Sequence, residues 1–318
     1  MEEISMSRSK LFEAVATRIC DKKVSITPRE CLEDRGSIRS ICRNQCRIDE
    51  KSISQLEYVK SSMHDNIFLK ACPGSGKTEV VALKTAYELN NWNQLGGIAV
   101  LSFTHNAANV IASRVRAFVG VSNICHPHYI GTIDSWLHSY IAHPFSHNIT
   151  AYVGKDKDKS VRLVDSSSTA GFLNSYSTKY TFARTGKVQA HQYYWDIENE
   201  CFIFSSQKRP VDEARKKQFR NNEEWQRYRL NKELTALKWK FHKAGFATYQ
   251  DIEHLSYLLI SKNKEFCDAI SNRFPFIIVD ECQDLSWIQL ELLQHLKDSG
   301  TKLILLVILI KQYMSLKK

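Results

Sequence analysis

Glycine and proline are scarce in this sequence, 12 and 6 among 318 residues. That excludes a collagen-like chain and Gly/Pro-rich low complexity. Long apolar runs are also missing. The longest is Leu303–Ile310, eight residues between Lys302 and Lys311, too short to span a bilayer. The opening Met1-Glu2-Glu3-Ile4-Ser5 has acid where a secretory signal needs a basic start and an apolar core. The expectation is a cytoplasmic protein with no membrane partner. Cysteine is not patterned as a disulfide framework: there are nine, an odd number and scattered, so free thiols are expected. Cys20, Cys31, Cys42 and Cys46 lie within one stretch. Their spacing fits no common zinc module and no His is nearby, so zinc is not expected.

What is present is ordinary globular material, 43% hydrophobic and 25% charged. The length allows two domains, or one domain with an insertion. The net charge of +10 suits a polyanionic partner without identifying one. No internal repeat is visible.

Residues 1–50 are polar and basic, with helix-like stretches at Lys10–Arg18 and Ile38–Asp49, and read as an N-terminal appendage. Short apolar runs at Ile67–Ala71, Gly97–Phe103, Phe276–Val279 and Leu303–Ile310 read as strands. Helical periodicity follows the first two, over Glu79–Leu89 and Ala107–Phe118. Strands alternating with helices predict a parallel α/β sheet. The middle differs: possible antiparallel strands at Lys179–Phe182 and Glu200–Ser205, then a helical, basic stretch at 211–243. The predicted organisation is an α/β core at 51–145 and 245–306 with a mixed, mainly helical insertion at 146–244.

Ala71-Cys72-Pro73-Gly74-Ser75-Gly76-Lys77-Thr78 fits the spacing of a phosphate-binding loop, between a strand and a helix. Gly74 and Gly76 let backbone N–H groups turn toward phosphate oxygens, with Pro73 and Ser75 in the same loop, and the helix adds its positive N-terminal end. Lys77 reaches the β- and γ-phosphates, and Thr78 offers a hydroxyl to Mg²⁺. Such a loop needs a carboxylate at the end of a neighbouring strand. Asp280 follows Phe276–Val279 and is expected to hold Mg²⁺, with Glu281 orienting and deprotonating the attacking water. Asp284 is expected to cap the next helix. ATP and Mg²⁺ are thus the expected cofactors.

Asp280-Glu281-Cys282-Gln283-Asp284, taken with Ala71 to Thr78, resembles the UvrD/Rep-type superfamily 1 DNA helicases. Other segments agree in order. Gln55 matches the family's adenine-reading Gln. Leu101-Ser102-Phe103-Thr104-His105-Asn106-Ala107-Ala108 resembles its Thr-Phe-Thr-Asn-Lys-Ala-Ala segment. Gly131-Thr132-Ile133-Asp134-Ser135-Trp136 resembles Gly-Thr-Phe-His-Ser-Phe, with Asp134 in place of His. The resemblance implies a RecA-like, phosphate-loop NTPase domain with an inserted DNA-contacting subdomain. It implies ATP hydrolysis coupled to translocation on single-stranded DNA and unwinding at duplex junctions, a chemistry used in DNA repair. It implies that Gln283 couples the γ-phosphate to motion and that Phe103, Thr104, His105, Thr132 and Trp136 face DNA. Phe103 and Trp136 are equally well read as core. The stretch 205–243 carries twelve Lys or Arg against five Asp or Glu and suits either a phosphate-tracking surface or a solvated helix face.

The family also has a second RecA-like domain whose arginines act in the manner of an arginine finger. After Leu306 the family pattern Gly-Asp-Pro-x-Gln-x-Ile-Tyr does not appear, and Val307-Ile308-Leu309-Ile310-Lys311-Gln312-Tyr313-Met314-Ser315-Leu316-Lys317 stands there instead. With its degenerate third bases free, that tail back-translates to codons which, regrouped one base earlier, read Gly-Asp-Pro-Asn-Gln-Thr-Ile-Tyr-Val-Phe-Lys. The expectation is a frameshifted tail at 307–318 on a truncated helicase that lacks the second motor domain. Such a chain retains nucleotide binding and loses most turnover. The alternative is a catalytically inactive ATP- and DNA-binding fragment of a decayed gene. A transporter ATPase would carry a Ser-Gly-Gly-Gln signature, which is absent, and a small-molecule kinase would not normally use Asp-Glu-x-Gln-Asp.

Overall fold

The computed structural model describes residues 55, 58, 59, 61, 66–71, 76–182, 186–211 and 223–308. Along the chain its main elements are β1 (Ile67–Ala71), α1 (Lys77–Asn90), β2 (Ile98–Ser102), α2 (His105–Val119), β3 (Tyr129–Thr132) and α3 (Ile133–Leu137). There follow β4 (Ser177–Phe182), β5 (Gly186–Gln189), β6 (Tyr193–Asp196), β7 (Cys201–Phe204) and α4 (Glu223–Lys243). The chain closes with α5 (Tyr249–Lys262), α6 (Lys264–Arg273), β8 (Phe276–Val279), α7 (Trp287–Asp298) and β9 (Lys302–Ile308). The helices expected before residue 50, the cysteines from Cys20 to Cys46 and residues 309–318 lie outside the described residues.

Two compact units form. The first takes the described residues from 55 to 132, from 272 to 284 and from 301 to 308. Its sheet has the order β1-β9-β8-β2-β3, and every pairing is parallel. This is the α/β fold class the alternating pattern predicts. Parallel strands covered on both faces need apolar residues at every position, and all five residues of β2 and all four of β8 are buried. Val81, Leu83, Ile98, Val100, Ile111, Ile278 and Ile304 form its core with their neighbours. Removing the side chain of Ile278 should cost about 2–5 kcal/mol. Gly97 enters β2 against the Pro127 carbonyl, where a Cβ would come within 1.9 Å, so no larger residue fits. β9 runs to Ile308, pairing Val307 with Lys70 and Ile308 with Ala71. The strand therefore continues two residues into the expected tail.

The second unit takes residues 133–271 and 285–300. It begins earlier than the predicted insertion and also takes in α5 and α7, because these helices pack on each other and α5 packs on α3. β4 and β5, and β6 and β7, form two antiparallel pairs. Tyr193, Phe202, Phe204, Leu230 and Leu234 pack between the second pair and α4. Lys238, in the stretch read as a basic surface, is instead buried. Its ammonium donates to the Ala190 carbonyl at 2.6 Å, to the Tyr193 carbonyl, and to Asp251. Asp251 also completes the cap of α5 with Thr248.

Candidate functional site

In the first unit β1 leads to α1 through residues 72–75, so Pro73, Gly74 and Ser75 lie outside the described residues. Gly76 follows with φ of 80°, the left-handed region that glycine enters freely. Among the described residues no side chain caps the start of α1, which leaves its first N–H groups for an anion. Lys77 opens the helix. Its Nζ is buried and has no hydrogen-bond partner among the described residues. Thr78 beside it is partly buried.

Asp280 stands at the same C-terminal sheet edge. Its N–H donates to the Leu101 carbonyl at 2.9 Å, extending the β8–β2 register by one residue. The same register sets it level with Ser102 and Thr132. The Glu281 N–H donates to Asp280 Oδ1 at 3.1 Å and orients the carboxylate. Burial and the neighbouring Glu281 push the Asp280 pKa above the ordinary carboxylate value, against the opposing pull of Lys77. Glu281 has φ of 59°. For a non-glycine residue this costs roughly 1–2 kcal/mol, and strain of that kind gathers at functional turns. Gln283 is exposed and donates to Asp284 Oδ2 at 3.1 Å. Asp284 does not cap the next helix. Ser286 does: its Oγ accepts from Gln289 N–H at 3.2 Å, while Gln289 Oε1 accepts from Ser286 N–H at 3.1 Å. Ser286-Trp287-Ile288-Gln289, two residues past Asp284, carries the Ser-x-x-Gln signature of a capping box in the sequence itself.

Gln55 is helical and partly buried, and Tyr58 and Val59, also helical, are buried. Burial, then the charges of Asp280 and Glu88, hold the Tyr58 hydroxyl well above its ordinary pKa. The Tyr58 hydroxyl therefore lies within electrostatic reach of Asp280.

These residues suit Mg²⁺ and a nucleoside triphosphate. An ammonium with no hydrogen-bond partner among the described residues, helix N–H groups uncapped among them, and a buried carboxylate whose pKa its surroundings raise are all relieved by phosphate and a divalent cation. Among the described residues no group of three or more His, Cys, Asp or Glu gathers to hold a metal. A cation here needs substrate oxygens as well, the usual habit of Mg²⁺.

The sequence model of the UvrD/REP helicase N-terminal domain matches residues 52–308. The chain belongs to this helicase family. One stretch of 53 residues is 47% identical to the RecB subunit of the RecBCD enzyme from Borreliella burgdorferi, covering 17% of this chain and 4% of that protein.

Within this UvrD/REP-family domain the residues expected to face DNA fall into two classes. Phe103 is 48% exposed just past β2, and Thr104 and His105 are exposed beside it. Thr104 also caps α2, accepting from Ala107 N–H at 3.2 Å. Thr132 is buried at the end of β3. Trp136 belongs to the second unit and has 0% exposure, so it packs there and presents no face to a base. Asp134, the departure from the family's His, accepts from Gln289 Nε2 at 3.0 Å, and the same amide donates to Glu253 Oε1 at 2.7 Å. Sequence reasoning did not find Glu253 or Gln289, and no local signal joins them to Asp134. No helix among the described residues is long and apolar enough to cross a membrane.

Proposed function

We propose that this chain is the first motor domain of an ATP-dependent DNA helicase, binding and hydrolysing Mg²⁺–ATP to move along single-stranded DNA and unwind duplex junctions. The observation that carries the reading is the buried Lys77 ammonium, unpartnered among the described residues, at the sheet edge that ends in Asp280 and Glu281. In this reading Lys77 holds the β- and γ-phosphates, and residues Pro73 to Gly76 cradle them. Thr78 and Asp280 hold Mg²⁺, which supplies positive charge to the phosphate oxygens. Glu281 orients the attacking water and accepts its proton. Gln55 reads adenine, and Gln283 links the γ-phosphate to the DNA-facing edge at Phe103, Thr104 and His105. Thr132 supports that edge from its buried place on β3. The arginines that stabilise the transferring phosphoryl group come from a second RecA-like domain, and DNA repair in the cytoplasm is the proposed setting.

The test is ATP hydrolysis by the 318-residue chain with and without single-stranded DNA, alongside Lys77→Ala and Glu281→Gln. With the arginines assigned to a second domain, whose finger is worth on the order of 10³–10⁵ in rate, turnover by these 318 residues by themselves is expected to be weak, and to vanish in both variants. Fast turnover by this chain alone would overturn the assignment of the arginines to a second domain. Turnover unaffected by Lys77→Ala would overturn the site.

A further inference from the structure

Lys84 lies in the middle of α1, in a run from Val80 to Ala86 that is buried throughout. Its own exposure is 0%. Lysine is almost never taken fully out of water without partners, and its partners here are specific. The ammonium donates to the Val59 carbonyl at 3.2 Å, to the Ser61 carbonyl, and to Glu88 Oε1 at 2.8 Å. All three of its donors are used.

Two of the three acceptors are backbone carbonyls at the end of the segment that carries Gln55. That end is a closed turn: Ser61 N–H and Ser61 Oγ both donate to the Tyr58 carbonyl, at 3.1 and 2.6 Å. Carbonyls at the end of a helical turn lack intrahelical donors and carry negative partial charge, and a cation answers both deficits. The ammonium also lies 6.0 Å from the centre of the Tyr58 ring. Glu88, one turn further along α1, balances its charge.

Lys84 follows Lys77 by seven residues on the same helix, two turns or about 10 Å along its axis. One rigid element thus holds both the phosphate-binding end and the Tyr58–Ser61 turn, three residues past Gln55. A nucleotide is extended, so the distance between the group that holds its phosphates and the group that reads its base decides whether the base edge meets its hydrogen bonds. A displacement of about 1 Å is enough to lose them.

We infer that Lys84 is a positioning residue for base recognition: it clamps the Gln55 segment to α1 and so sets the site's preference for adenine. The inference rests on the proposed ATP site. Lys84 touches no nucleotide atom and acts through Gln55.

The test is equilibrium binding of mant-ATP and mant-GTP to the full chain, with thermal denaturation of each variant. The wild type should prefer mant-ATP by about tenfold or more, as expected of a site that hydrogen-bonds its ligand. Lys84→Met should reduce that preference to below about threefold, as Gln55→Ala does, while affinity for mant-GTP, carried by the phosphates, stays within about threefold. Lys84→Arg, which keeps charge and reach, should retain most of the preference. A folded Lys84→Met protein that keeps the wild-type ratio overturns the inference, and so does an equal loss for both nucleotides, the mark of a merely structural lysine. Should Lys84→Met fail to fold, Lys84→Gln carries the test. Its shorter neutral amide cannot hold both carbonyls, the same loss of ratio is expected, and an unchanged ratio overturns the inference. A wild type that binds neither nucleotide, or whose binding survives Lys77→Ala, overturns the ATP site itself and this inference with it.

Discussion

The carboxylates of Asp134 and Glu253 share one donor, the side-chain amide of Gln289, at 3.0 and 2.7 Å. Burial, then the nearby Asp134 charge, raise the Glu253 pKa from 4.5 to about 7. Between those values the folded protein holds a proton that the unfolded chain releases, so this group's contribution to stability falls as pH rises from about 4.5 to 7. Above pH 7 its full cost, about 3 kcal/mol, opposes folding. Glu253→Gln should remove that slope and raise stability at pH 8 by about 1–3 kcal/mol. Denaturant melts of both proteins at pH 5 and pH 8 measure it. An equal pH dependence in wild type and variant would contradict the assignment.

Lys77 and Gly76 should separate stability from binding. The Lys77 ammonium is buried without a hydrogen-bond partner among the described residues, an arrangement that costs the fold and serves a ligand. Lys77→Ala should leave the melting temperature unchanged or raised. Gly76→Ala should lower stability by about 1–2 kcal/mol, through the positive φ alone, since a Cβ there meets nothing within 4 Å. Thermal melts without nucleotide decide both. A large loss of stability in Lys77→Ala would mean that the residue is structural.

Phe103 and Trp136 should part in the same way. Trp136→Ala, at a fully buried position, should cost about 3–5 kcal/mol of stability. Phe103→Ala, at a position 48% exposed, should cost under about 1 kcal/mol of stability but weaken binding to a single-stranded oligonucleotide by about 1–3 kcal/mol, the worth of one stacked base. Fluorescence anisotropy with a labelled oligonucleotide reads the second effect. Unchanged affinity in a folded Phe103→Ala protein would remove Phe103 from the DNA-facing edge.

Much of the first unit was legible because its signals are local. Apolar runs such as Phe276–Val279 mark strands buried on both faces, and the loop from Ala71 to Thr78 carries its chemistry in contiguous residues. What was not legible depends on contacts far apart in sequence. Asp134 and Gln289 are separated by 155 positions. Lys238 read as one charge in a basic stretch, yet it is buried against Asp251 and two carbonyls. The left-handed backbone at Glu281 leaves no mark in residue type. Lys84 does leave one: a lysine inside the buried run Val80–Ala86, with Glu88 four residues on.

Lys238→Met tests that burial directly. It leaves Asp251 as an uncompensated buried charge and should destabilise the second unit by about 3–5 kcal/mol. Adding Asp251→Asn should recover part of the loss, since the stranded charge is then gone. Chemical denaturation of the two single variants and the double variant checks the coupling. Simple additivity would contradict a buried pair.

The account turns on whether Lys77, Thr78 and Asp280 form a site for Mg²⁺–ATP. Isothermal titration of ATP into the wild-type chain, with Mg²⁺ and with EDTA, and into Lys77→Ala, tests it most directly. The account predicts saturable one-to-one binding that weakens at least about tenfold, 1.4 kcal/mol, when either Mg²⁺ or the Lys77 ammonium is removed. Binding indifferent to both, or no binding by the folded wild-type chain, would contradict it.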